Sequence, residues 1–198
     1  MARLFSIRPA LTLRGRRFRG IRGWAGKPTH PPLTDFPVVA YVMAAAFDLL
    51  SFVLGDRPAA HDAFIAANYA IVAGAIVSLG TALTGFWDWW KGLDREPNTG
   101  PIGRAKHTQV WRTANFHMAV MLTVTAIVIV DIVVRFAGSS GETGVGVLIL
   151  SLLAGGGVAF GAVYGGSLVY DYQFNVASLK GSTVWDETEE DQFPGQKA

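Results

Sequence analysis

His30, His107 and His117, together with Asp48, Asp131 and Arg135, are the side chains in this 198-residue sequence whose type and position could do chemistry. His30 and His107 each stand just before a long apolar block. Two imidazoles at one level of a helical bundle can clamp a haem from opposite faces, because bundle cores build such sites from facing helices. His117 lies well inside a later block, at a depth comparable with Met43 on the first, so a His/Met pair around an iron is a second arrangement. In either case the cofactor would be haem b. A histidine at a helix start also serves as a hydrogen-bonded residue at headgroup level, and His61, beside Asp62, reads as plain surface.

The charged residues form a second constellation. Asp131 and Arg135 are four apart, the spacing that brings two side chains together on one helix face. Asp48 falls at a similar depth on the first block, about six residues from its end. A charge in hydrocarbon costs about 2.5–3.5 kcal/mol even on lenient insertion scales. The expected arrangement is therefore a structural cluster of Asp48, Asp131 and Arg135 near the outer face, with a proton or quinone path as the other reading.

Four apolar blocks must position these groups, with spans expected at about 33–54, 63–87, 110–136 and 143–170. Each approaches the roughly 20 residues of helix needed to cross a bilayer. Asp48 makes the first the weakest of the four. Composition agrees, with 51% hydrophobic and 16% charged residues and a mean hydropathy of +0.32, against about 25% charged in average soluble domains. The fold class is all-α, an integral membrane four-helix bundle over residues 30–176, with a basic arm at 1–29 and an acidic tail at 177–198.

Small residues supply the packing faces. Gly157, Gly161 and Gly165 recur every four residues on the last helix, and Gly155, Ala159, Ala162 and Gly166 form a strip beside them. In lipid, helices associate through close contact between such faces, since burial of apolar surface adds little. Ala70, Gly74, Ser78 and Ala82 read as the matching ridge on the second helix. Trp87, Trp89 and Trp90, with Tyr170 and Tyr172, form an aromatic belt at one membrane surface.

The basic residues set the orientation. The first 29 residues carry seven arginines and one lysine without an acid, and the connection after the second helix adds Lys91, Arg95, Arg104 and Lys106. The positive-inside rule then places both termini in the cytoplasm of a cell (inner) membrane protein. Arg16 and Arg17 lack the surroundings of a twin-arginine signal, so the arm is expected to stay. Arg14, Arg16, Arg17 and Arg19 read as contacts for anionic membrane lipid or for a partner subunit, each worth about 1 kcal/mol near such a surface. Nucleic acid is not the expected partner.

Several chemistries are excluded. The chain has no cysteine, which removes disulfides, thiol catalysis, cysteine-ligated zinc and iron–sulfur clusters. No phosphate-cradling loop follows a strand and no nucleophile motif is present, so no soluble substrate is expected. The helix pairs show no inverted repeat of the kind transporters use.

Three segments carry a family resemblance: His30-Pro31-Pro32-Leu33-Thr34-Asp35-Phe36-Pro37, residues 80–88 ending in Gly85-Phe86-Trp87-Asp88, and Gly165-Gly166-Ser167-Leu168-Val169-Tyr170. On these the chain resembles the membrane proteins grouped as domain of unknown function 2231. The resemblance sets His107, followed by Asn115, against the family's histidine on the third helix. Some members are fused to Rieske-type iron–sulfur domains, which implies a setting in membrane electron transfer. Without cysteines, this chain would share that setting through a partner or a haem. The leading expectation is a non-catalytic accessory subunit of a respiratory membrane complex, clamped to other membrane-protein subunits by its charged arms. The rival is a small b-type cytochrome using His30 with His107, or His117.

Overall fold

The computed structural model describes residue 21 and residues 29–93, 98–99, 105–106, 108–138 and 141–176. Within them the chain forms four helices: α1 His30–Leu54, α2 Pro58–Gly92, α3 Gln109–Ala137 and α4 Val145–Tyr170. At 1.5 Å per residue these are about 37–53 Å long, against about 30 Å of hydrocarbon. All four are long and apolar enough to cross a membrane.

Local chemistry explains the boundaries. α1 opens three residues earlier than its apolar run, because Pro31 and Pro32 occupy the first turn, where a missing backbone N–H costs nothing. Pro37 sits inside α1 and cannot donate to the carbonyl of Leu33. That carbonyl accepts instead from Thr81 Oγ1 on α2, at 3.4 Å, so the break in α1 becomes a link between helices. Gly55, at φ 58°, turns the chain into α2, which again opens on a proline. Thr108 caps α3 by accepting from the Trp111 N–H at 3.2 Å. In the connection between α2 and α3, Asn98–Thr99 pairs antiparallel with Ala105–Lys106.

The helices run up, down, up and down. α1 packs closely on α2 and on α4, and α3 on α4, whereas α2 and α3 touch sparingly. Small and β-branched residues fill the middle: Ala44, Ala154, Val124, Val128 and Val158 around Tyr41 and Ile71. Large side chains turn outward, with Val53 72%, Leu83 71%, Leu79 67% and Val163 66% exposed. In water that distribution would be inverted; in lipid it gives close backbone contact inside and apolar surface outside.

At the end where α1 turns into α2, His61 is more than surface. Its Nδ1 lies 2.7 Å from the carbonyl of Gly141, so the start of α2 is tied to the loop before α4. At the opposite end the Phe174 N–H donates to Leu168 O at 2.8 Å, and a methyl group at Gly92 would meet the Phe174 ring at 2.6 Å. The segment after α4 thus folds back onto the end of α2.

Candidate functional site

His30 is the first residue of α1 and its ring lies on α2. Nδ1 is 3.0 Å from the backbone carbonyl of Thr81, and the ring rests where a Cβ at Gly85 would come within 2.6 Å of Cε1. His117, eight residues into α3, repeats the arrangement on α4. Its Nδ1 is 2.9 Å from the carbonyl of Gly161, and Gly165 leaves room where a Cβ would lie 3.2 Å from Cε1. A carbonyl only accepts, so both Nδ1 atoms carry the proton and both Nε2 atoms keep a lone pair. α1 and α3 are the diagonal helices of the bundle.

The other ligand readings fare differently. His107 and the candidate partner contacts Arg14, Arg16, Arg17 and Arg19 lie outside the described residues. The histidine carried by α3 is His117. Met43 is 41% exposed on the outside of α1, which removes it as a partner for His117. Among the described residues no three His, Asp or Glu side chains come together to hold a metal ion.

The outer charges meet in one closed cluster. Arg135 reaches Asp48 with both terminal nitrogens, Nη1 to Oδ1 at 3.0 Å and Nη2 to Oδ2 at 2.7 Å. Nη2 also donates to Asp131 at 3.1 and 3.2 Å, while Nη1 donates to Asn68 Oδ1 at 3.0 Å. Thr143, just before α4, donates its hydroxyl to Asp48 Oδ1 at 2.8 Å and its N–H to Ser51 Oγ at 3.3 Å. The guanidinium stands 5.7 Å from the centre of the Phe64 ring. Asp48 and Asp131 are fully buried and Arg135 is 3% exposed, so no substrate reaches them. The cluster joins α1, α2, α3 and the loop before α4, and its chemistry is that of a lock.

Asn68, Ser51 and Thr143 were not legible as members of this lock. Asn68 is the lone amide in the apolar run of α2, and that was its one signal. Thr143 sits in a loop whose contact with α1 only the closed bundle creates.

The glycine ridge lies against α3. Gly157 faces Val124, Gly161 faces Met121 and Val120, and Gly165 faces His117. The neighbouring strip is not a packing face as a whole, since Ala159 and Ala162 are exposed. Gly155 alone of that strip meets another helix, where a Cβ would lie 3.0 Å from Ala45 Cβ and 3.2 Å from Tyr41 O on α1. On α2 the expected ridge holds at Gly74, under Ala40 and Tyr41, and at Ser78, whose hydroxyl is 2.6 Å from Tyr41 Oη. Ala82 is exposed; Thr81 and Gly85 continue the contact instead, because a four-residue step overshoots the helical turn by about 0.4 residue and the contact line soon slips back by one position.

The aromatic belt forms a packed group at the C-terminal end of α2, with Phe86 5.7 Å from Trp89 and 6.0 Å from Trp90 between ring centroids. Lys91 lies 5.4 Å over the Trp87 ring. Asp88, between them, is buried and accepts from the Ile21 N–H at 3.2 Å. Thr29 in turn donates its N–H and its hydroxyl to Ile21 O, at 3.1 and 3.0 Å. Ile21 and Thr29 are thereby tied to one another and, through Asp88, to the end of α2.

No curated protein and no solved structure matches the chain. A family model, described as a predicted membrane protein, matches residues 26–178, which takes in all four helices and the paired imidazoles. This chain belongs to the predicted membrane protein family DUF2231.

Proposed function

We propose that this chain is a membrane-embedded subunit of an electron-transfer complex, seated in the cell membrane with both termini in the cytoplasm. One observation supports the reading above others. His30 and His117, from diagonal helices, are each held at Nδ1 by a backbone carbonyl that leaves the Nε2 lone pair available. Paired imidazoles held this way suit a one-electron carrier. The excess of basic residues in the arm and in the α2–α3 connection supports the orientation.

A purely structural subunit is the second reading, favoured by the closed Arg135 cluster. Both readings give the basic arm the same task. Anchored through Ile21 on Asp88, it would present Arg14, Arg16, Arg17 and Arg19 to a partner subunit or to anionic headgroups.

Deletion of residues 1–28 is expected to release the chain from its partners when native membranes are solubilised in mild detergent, while the bundle stays folded. Unchanged co-purification would remove the arm's clamping role. If the intact chain brings down no redox protein, the electron-transfer reading fails.

A further inference from the structure

We infer that His30 and His117 are the two axial ligands of a single haem b, seated in the inner half of the bundle and open to the loosely packed α2–α3 side. The inference rests on the reading of this chain as an electron-transfer subunit and names the carrier. Four observations converge on it. Each imidazole is oriented by a hydrogen bond from Nδ1 to a helix carbonyl, at 3.0 Å for His30 and 2.9 Å for His117. That is how proteins fix the tautomer of a metal-ligating histidine and raise the basicity of its other nitrogen.

Second, neither Nε2 has a hydrogen-bond partner among the described residues. With Nδ1 spent on the carbonyl, each Nε2 lone pair stays available to a ligand.

Third, each ring lies flat against a glycine of the adjacent helix, Gly85 for His30 and Gly165 for His117. A Cβ at Gly85 would fall 2.6 Å from His30 Cε1, so glycine is what lets that ring take its place. The same device occurs on two unrelated helix pairs at one end of the molecule.

Fourth, two ligands are the wrong number for a bare ion and the right number for an iron porphyrin. Zinc and similar ions take three or four protein ligands, and no such group occurs among the described residues. A porphyrin supplies the four equatorial nitrogens itself and asks the protein for the axial pair. The two imidazoles come from diagonal helices and are not hydrogen-bonded to one another. The sparse contact between α2 and α3 gives a flat macrocycle a way in from the lipid.

The full chain, produced in membranes of a haem-proficient host and purified in mild detergent, tests this. We expect one haem b per chain by pyridine haemochromogen assay, with the low-spin bands of bis-imidazole ligation after dithionite reduction. His30→Ala or His117→Ala should lower haem content at least tenfold; His61→Ala and His107→Ala should leave it unchanged. His117→Gly supplied with free imidazole should regain the low-spin bands, which a structural histidine would not do. Gly85→Ala keeps both ligands but displaces the His30 ring, so it should bind haem with shifted bands. A colourless chain that elutes as a single folded species overturns the inference, as does haem that survives His117→Ala or depends on His107. A colourless chain that still brings down redox partners removes the haem and leaves the subunit reading standing; a haem-bearing chain that brings down none does the reverse.

Discussion

Arg135→Ala is expected to be the most damaging single substitution in the bundle, lowering stability by about 3–5 kcal/mol. The guanidinium is the sole positive charge facing Asp48 and Asp131 within the described cluster, and both carboxylates are fully buried. Removing it leaves two like charges in a medium that cannot solvate them. Equilibrium unfolding in mixed detergent would measure the loss. Asp48→Asn should cost more than Asp131→Asn, since Asp48 takes the bidentate contact at 2.7 and 3.0 Å and the Thr143 hydroxyl as well. Asp131 meets Nη2 alone, at longer distances. The triple replacement Asp48→Leu, Asp131→Leu and Arg135→Met should recover most of the stability, because a buried ion cluster exchanged whole for apolar groups is often near neutral. A triple variant as unstable as Arg135→Ala would show that the cluster does more than balance its own charges.

Gly74→Leu is the second large effect. A Cβ at Gly74 would lie 2.8 Å from Ala40 Cβ and 2.8 Å from Tyr41 Cε1. Ala40 Cβ is fixed to the α1 backbone, so the helices themselves must separate. Overpacking of this kind costs about 1–3 kcal/mol, and in lipid the lost close contact between α1 and α2 adds to it. The separation also parts Tyr41 Oη from Ser78 Oγ, now 2.6 Å apart. Gly156→Leu, on the lipid-facing side of α4 with nothing within 4 Å of its Cβ, should be neutral in the same thermal-denaturation assay. Equal effects at the two glycines would mean that helix packing does not depend on the α1–α2 contact.

The two sites differ in how much of them can be read from residue order. Asp131 and Arg135 are partners by helical spacing alone, and Asp48 joined them through its depth along α1. Their remaining partners, Asn68, Ser51 and Thr143, are polar residues of ordinary type whose membership depends on which faces meet. The histidines are the reverse case. Position along the chain favoured His30 with His107, since both precede apolar blocks; His107 lies outside the described residues, and the imidazole carried by α3 itself is that of His117. Depth in the membrane is a one-dimensional quantity. Choosing between ligands at similar depth requires the azimuth of each helix, which packing sets.

Residue order by itself determined the four spans, their alternation, the all-α class and the family, because the energy of placing a side chain in hydrocarbon or water depends on that side chain and its near neighbours. Tertiary structure decided which small residues face another helix, why Gly157, Gly161 and Gly165 turn toward α3 while Ala159 and Ala162 turn to lipid, and how Thr81 meets the carbonyl that Pro37 leaves open. It also decided that α1 and α3 stand diagonally, with the His30 ring laid on α2 and the His117 ring on α4. Those outcomes follow from van der Waals contact and hydrogen bonding between segments far apart in the chain, terms that exist only once the helices have been brought together.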